Sequence, residues 1–454
     1  MIKSINPLNG SINHIYEAHT SKGAEKIINS VDKCWYSWRK STFFNRSQLM
    51  QNLASLLKTK KKELARLIAL EMGKVISEGI TEIEKCAWVC DYYAENAENF
   101  LEKEFIDTDY TKSYISYQPI GTILAIMPWN FPFWQVFRFA APVIMAGNTV
   151  VLKHATTVPG CAWTIEELFH EAGFPESVFR TLLIKRELVN EVIRHPAIKG
   201  ITLTGSNAAG ESVAANAGSV LKKCVMELGG SDPYLILKDA DLVSVARISA
   251  YGRLLNAGQS CIGAKRFIVV DEVFTRFLEY FTHEMNNARF GDPCEPTVTM
   301  GPLARNDLRE KLHQQVLLSV KQGAEIVIGG EIPNMQGAFY PPTILENVRP
   351  GMPAYEEELF GPVASLIRVK NEEEAIRVAN DTQYGLGASV FTKNIKRGEH
   401  IAEFQLQAGS CFVNDLVKSD PRLPFGGIKN SGYGRELSVQ GIKEFMNIKT
   451  VVVK

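Results

Sequence analysis

From Ile120 onward, short apolar runs alternate with amphipathic segments, and this alternation limits the possible folds of the chain more than any other feature. Residues 122–126 (Thr-Ile-Leu-Ala-Ile) read as a buried strand and 133–145 as a helix. Residues 149–152 form a second strand and 164–172 a second helix, and residues 201–204 form a third strand ahead of a helix opening near Ala208. Parallel strands require crossovers long enough to hold a helix, so this order predicts a parallel sheet covered on both faces. Such a sheet opens to ligands at the carboxyl ends of its strands. A second alternating block runs from about Tyr234 to Val413 and includes the strand 267–270. The first hundred residues are different. Apolar positions at three- and four-residue spacing predict helices over 24–38, 45–72 and 78–100. The fold class is therefore α/β, with a Rossmann-type doubly wound lobe and a second α/β lobe, and 454 residues suffice to bury both.

Composition narrows the partners. Fifty basic and fifty acidic residues leave no formal net charge, which argues against a nucleic-acid or anionic-membrane surface. The basic run at Lys58, Lys60, Lys61 and Lys62 continues an amphipathic pattern and reads as a solvated helix face. No stretch approaches the roughly 18 apolar residues that a membrane span needs. Nor does the N-terminal segment look like a secretory leader. Eight cysteines without a C-x-x-C pair make neither a disulfide framework nor a zinc site. Cys86 and Cys90, at helical spacing, read as core thiols. The expectation is a cytoplasmic protein with no metal.

Three short segments carry chemistry. Glu227 closes an apolar strand just before Gly229 and Gly230, and a carboxylate buried there needs a partner or a task. Cys261 follows the small-residue turn Asn256-Ala257-Gly258; taken alone, a single cysteine is more often an inert core residue. Asn130 stands between Pro128 and Pro132 at the carboxyl end of the first strand. No G-x-G-x-x-G follows a strand. Gly205 and Ser206 nevertheless lie at a strand-to-helix turn whose amides could hold a pyrophosphate, although glycine there is often only a turn. Thiol, amide and carboxylate together make a nucleophile, an oxyanion donor and a base for water.

With these residues and two further motifs, the chain resembles the aldehyde dehydrogenase superfamily almost end to end. The resemblance is carried by 128–132 (PWNFP), 227–230 (ELGG), 258–261 (GQSC), 357–362 (EELFGP) and 424–432 (PFGGIKNSG). It implies Cys261 as nucleophile, Asn130 with the Cys261 amide as the oxyanion site, and Glu227 as activator of the hydrolytic water. It assigns Met127, Pro128, Trp129, Lys153, Ala155, Thr156, Gly205, Ser206, Leu228, Gly229, Glu358 and Phe360 to the nicotinamide cofactor. It further implies a cofactor domain over 1–107 and 121–230, a catalytic domain over 231–420, and oligomerisation elements at 108–120 and 433–454. In the family the C-terminal run 447–453 joins the 111–117 region in an oligomerisation sheet, which implies a homodimer or homotetramer.

Two departures refine the reading. Many NAD-preferring members carry a glutamate where this chain has Thr156, so both NADP and NAD should be accepted, with Lys153 available to a 2′-phosphate. The 153–155 variant (Lys-His-Ala) and the short chain are similar to bacterial succinate-semialdehyde dehydrogenases. Independently, Asn130, Trp134 and Arg138 are spaced by four, which stacks Trp134 and Arg138 on one helix face. Arg138 there either clamps a second carboxylate on the aldehyde or pairs with a structural acid. Ser419 would add a donor to that carboxylate, and Phe425 an apolar wall. Another ω-carboxy aldehyde or a simple aliphatic one is an alternative, since one methylene is worth only about 1–3 kcal/mol. A non-catalytic dinucleotide-binding relative is disfavoured by the presence of Cys261, Glu227 and Asn130. A coenzyme A-acylating enzyme is disfavoured by Glu227. Ile262 and Gly263 follow the nucleophile, so no vicinal disulfide can form there.

Overall fold

The computed structural model covers residues 1–454. Thr122–Met127, Thr149–His154 and Ile198–Thr204 are runs rich in β-branched and aliphatic residues, buried almost throughout, as expected for strands covered on both faces. They lie in a six-stranded sheet whose order is Gly432–Tyr433, Lys223–Glu227, Ile198–Thr204, Thr122–Met127, Thr149–His154, Phe179–Thr181. Every pairing is parallel except that of Gly432–Tyr433. The chain leaves Thr122–Met127 toward one edge and returns to its other side at Ile198–Thr204. The carboxyl ends of these two strands therefore flank the topological switch point, where such sheets take their ligands. Asn130 follows one strand end and Gly205 the other.

The second lobe is a seven-stranded sheet spanning Asp232 to Val413, parallel except for its Glu325–Ile328 edge strand. A third, three-stranded sheet joins Glu104–Ile106, Lys112–Pro119 and Met446–Val453, all antiparallel. Thus Glu104–Ile106 joins the third sheet although it precedes the 108–120 element, and Gly432–Tyr433 joins the first although it spans the start of the 433–454 element.

The predicted N-terminal helices form over Ser21–Trp38, Phe43–Met72 and Ile76–Phe100. Thr20 and Thr42 cap the first two through their hydroxyl oxygens. Gly73, at φ +83°, ends the second; a Cβ there would lie 2.8 Å from the Pro302 carbonyl oxygen. The third helix packs between the second and Trp134–Met145 and so forms one wall of the site. The two large cores, of 53 and 48 buried residues, belong to the two lobes, and Ile262 packs against both. The residue beside Cys261 thus marks the seam between lobes. No helix is long and apolar enough to cross a membrane.

Candidate active site

Cys261 is presented by a strained turn. The helix Leu242–Leu254 gives way to Asn256, Ala257 and Gly258, all with positive φ (54°, 51° and 74°). Left-handed backbone costs an ordinary residue about 1–2 kcal/mol, so the surroundings must enforce it. Glu78 accepts from the Asn256 amide at 2.9 Å, and the Asn256 side-chain amide donates to the Asn130 and Gln259 carbonyls at 2.7 and 3.1 Å. Gln259 accepts from the Ala304 amide at 2.9 Å. A Cβ on Gly258 would come within 2.2 Å of the Gly361 carbonyl oxygen, so this position admits only glycine. Beyond the turn, Lys265 Nζ donates to the carbonyls of Ser260 and Cys261 at 2.9 and 2.8 Å. Gly230 passes so close that a Cβ would lie 2.6 Å from the Cys261 carbonyl oxygen. Burial pushes the Cys261 thiol up to about 12, while Arg138 and Lys265 pull it down and Glu358 and Glu227 add to the rise. The resting nucleophile is a neutral thiol.

Asn130 lies beside this turn. Its side-chain amide donates to the Gln259 carbonyl at 3.0 Å, which uses one of two N–H groups and leaves the other for an oxyanion. The following helix is anchored at its start, where Glu82 accepts from the Phe133 and Trp134 amides at 2.9 and 3.0 Å. Glu82 is also ion-paired with Lys74, both side chains essentially inaccessible. His154 ties the loop to the neighbouring strand. Its Nδ1 accepts from the Ala155 amide, so Nε2 carries the proton and donates to the Pro132 carbonyl at 2.9 Å. Burial lowers its pKa to about 4, which keeps it neutral.

Glu227 is the last residue of its strand, is 2% exposed, and has neither carboxyl oxygen hydrogen-bonded to protein. Burial raises its pKa well above the usual range, and Glu436 adds to the rise against Arg138 and Arg435. Glu436 is likewise raised by burial. The two carboxyls and Arg138 form one buried group. Gly426, at φ +153°, leaves room for it, because a Cβ there would lie 2.7 Å from Glu227 Oε1.

Arg138, expected either to clamp a second carboxylate or to pair with a structural acid, meets an acid. Its Nε is ion-paired with Glu436, it donates to Thr204 Oγ1 at 3.3 Å, and its guanidinium lies 4.7 Å from the Phe425 ring centroid. The structural-acid alternative describes its contacts. Trp134, Arg138, Ser419 and Phe425 nevertheless line the same cavity as Cys261, which has a volume of about 640 Å³. Lys85 joins them there, donating to Ser419 Oγ at 2.9 Å. Neither Glu436 nor Lys85 belongs to a motif. Their only sequence trace is a charge inside an otherwise apolar helical or turn pattern.

On the switch-point side, Ser206 caps the helix Asn207–Gly218, and Gly205 has no atom closer than 3.6 Å to a Cβ position. Gly229 does require its hydrogen: a Cβ would lie 2.7 Å from both Asn207 Oδ1 and Glu358 Oε2. Glu358 accepts from the Gly230 amide at 3.2 Å and is paired with Lys265 at 3.3 Å. Leu228 packs under the same helix at Gly210, and Phe360 meets Trp129 edge-on at 5.8 Å. Met127 receives the Ala155 amide at 2.9 Å, and Pro128 is half-buried beside it. Lys153 is the last residue but one of its strand, with its pKa lowered by burial and by Arg186, while Thr156 is exposed. A helix N-terminus, a glycine cradle and Lys153 with Arg186 near it fit a phosphorylated dinucleotide.

A profile described as "Aldehyde dehydrogenase family" matches residues 1–451. The chain is 46% identical over 450 residues to a Synechocystis protein named probable succinate-semialdehyde dehydrogenase (NADP(+)), covering 99% of each. It is 42% identical over 448 residues to an Escherichia coli protein named succinate semialdehyde dehydrogenase (NAD(P)+), covering 99% of this chain and 97% of that one. The crystal structure of succinic semialdehyde dehydrogenase from Streptococcus pyogenes in complex with NADP+ superposes with a TM-score of 0.98 at 38% identity, over 100% of both chains. Motifs, geometry and these matches agree over the whole length: the chain belongs to the aldehyde dehydrogenase family.

Proposed function

We propose that this protein oxidises succinate semialdehyde to succinate through a thioester on Cys261, using NADP or NAD. The observation that carries the reading is a single cavity lined by the nucleophile and, among its other residues, by Ser419 and the cations Arg138, Lys85, Arg247 and Lys418. Full-length similarity to proteins named for this substrate supports it.

The Cys261 thiol loses its proton and its sulfur attacks the aldehyde carbon, while the free N–H of Asn130 and the Cys261 amide stabilise the oxyanion. The bound nicotinamide cofactor supplies the hydride acceptor. Gly205, Ser206 and Gly229 would receive its pyrophosphate side and Glu358 its ribose, while Phe360 and Trp129 border the ring. Glu227 then takes a proton from the water that hydrolyses the thioester, and Glu436 lies next to it as a second carboxyl for that proton. Lys153 and uncharged Thr156 leave the adenosine end open to a 2′-phosphate, so NADP and NAD are both accepted. The first two sheets serve as cofactor and catalytic units. The third serves oligomerisation, as a homodimer or homotetramer working in the cytoplasm.

The test is NAD(P)H formation with succinate semialdehyde and butanal, each with both cofactors. Succinate semialdehyde should be preferred in kcat/KM by at least about tenfold, roughly 1.4 kcal/mol, and Cys261→Ser should be inactive. Absence of turnover with succinate semialdehyde would overturn the substrate. A kcat/KM for NADP below about one hundredth of that for NAD, roughly 2.7 kcal/mol, would overturn the dual cofactor use.

A further inference from the structure

Lys265 belongs to none of the motifs, yet three of them meet at its ammonium. It lies second in the fully buried strand Ala264–Val270, and its side chain is essentially inaccessible. A charge at that depth needs partners of its own. Alternation along the strand turns Arg266 to the carbonyls of Ser231, Val378 and Ala379, at 3.0, 3.0 and 2.9 Å, and sends Lys265 to the opposite face. There its Nζ donates to the Ser260 and Cys261 carbonyls at 2.9 and 2.8 Å and lies 3.3 Å from Glu358 Oε1. The same Glu358 oxygen accepts from the Gly230 amide at 3.2 Å. Gly230 in turn presses on the Cys261 carbonyl, where a Cβ would lie 2.6 Å from the oxygen. Contacts thus run in a closed ring from Cys261 to Lys265, Glu358, Gly230 and back. The ring joins the segments 227–230, 258–261 and 357–362, while Lys265 itself stands outside the cavity at Cys261.

We propose that Lys265 is a positioning residue for the reaction at Cys261: it ties the nucleophile's turn to Glu358 and Gly230, and so fixes the sulfur relative to the cofactor side and to Glu227. The assignment rests on the thioester reading above, in which Glu358 faces the cofactor. An ammonium offers three donors and no acceptor, so two carbonyls and a carboxylate suit it together. Methionine at 265 would fill the space but leave those oxygens without their donor. Against burial, which raises the Cys261 pKa, Arg138 and then Lys265 pull it down, so the ring also keeps a cation close to the thiol.

Alkylation of Cys261 by iodoacetamide in the cofactor-free enzyme, followed on its own peptide by mass spectrometry, reads the ring without turnover. At mildly alkaline pH the rate should fall about tenfold in Lys265→Met, as the thiolate loses that cation. Glu358→Gln should change the rate by at least about threefold when Lys265 is present and far less in Lys265→Met. A residue that merely fills space would leave the two substitutions additive. Additive effects, or an unchanged rate in either single variant, overturn the proposal.

In turnover, Lys265→Met should lower kcat on succinate semialdehyde and butanal alike by about 10–100-fold, with each KM within about threefold of wild type. A raised KM at unchanged kcat would make Lys265 a binding residue and overturn the assignment. If Lys265→Met does not fold, Lys265→Gln, which keeps a neutral donor, takes its place in both measurements. Titration of NADPH fluorescence separates the two readings. Glu358→Gln should weaken NADPH binding at least about fivefold, and unchanged affinity would overturn the cofactor half of the assignment. If wild type turns over neither aldehyde, the thioester reading fails and takes this role with it. If wild type is active and the alkylation effects are additive, the assignment alone falls.

Discussion

Cys261 is kept neutral by the surroundings that hold it in place. Burial raises its pKa from the ordinary 9.0 to about 12, and the cations Arg138 and Lys265 offset only part of that rise. Only the thiolate reacts, and its fraction grows tenfold per pH unit below the pKa. Inactivation of the cofactor-free enzyme by iodoacetamide should therefore keep accelerating from neutrality through pH 9, where an ordinary thiol levels off. A plateau near the ordinary value would show that the site does not disfavour the thiolate. Glu227 carries the complementary burden. Its pKa is also raised, by burial first and then by Glu436, while Arg138 and Arg435 oppose the rise. Glu227→Gln should still form the thioester but fail to hydrolyse it. The expected trace is a burst of one NAD(P)H per active site, followed by a steady rate lower by about 10²–10⁴-fold. Loss of the burst itself would instead place Glu227 in the first half of the reaction.

At the scale of elements, the helix Trp134–Met145 carries Trp134 and Arg138 into the cavity, and its start fixes Asn130 four residues upstream. That start depends on Glu82, which belongs to another helix and is paired with buried Lys74 stacked 3.7 Å from the Phe131 ring centroid. Breaking a buried pair by removing one partner leaves an uncompensated charge and costs about 3–5 kcal/mol. Lys74→Met and Glu82→Gln should each lower the denaturant midpoint accordingly and reduce kcat on every aldehyde alike. The double variant should lose clearly less than the sum of the two; strict additivity would mean the residues are not coupled. The strands and helices were legible because apolar periodicity is local, and 122–127, 134–145 and 198–204 formed within a few residues of expectation. Cys261, Asn130 and Glu227 were legible because each sits beside glycines or prolines that mark a special backbone. Lys85, Glu82 and Glu436 carry no such mark. Their partners lie in other elements, far off in sequence, so only the assembled fold shows Arg138 paired with Glu436 and Lys85 bonded to Ser419.

In the whole molecule, two lobes meet at Cys261 and Ile262, while the third sheet joins the first core only through Met446 and Tyr117. Met446–Val453 pairs in full register with Lys112–Pro119, leaving its other edge open. Register places Ile448 opposite Tyr117, and Val452 opposite Ser113, which itself opposes Ile106. Ile448, Val452 and Ile106 thus share one face, with exposures of 62%, 46% and 48%. A three-stranded sheet with an uncovered apolar face and an open edge is marginal alone and invites a second chain. Ile448→Lys combined with Val452→Lys places two charges on that face without touching the Cys261 cavity. Light scattering should show the assembly converted to a smaller species, and its midpoint of thermal unfolding should become less dependent on protein concentration. An unchanged mass would mean that this face is not the interface. If instead the mass falls and activity falls with it, the position of Met446 beside Phe445 supplies the route. The Phe445 ring packs against Gly200 in the strand that ends at the switch point, so loosening the third sheet would loosen the cofactor side of the site.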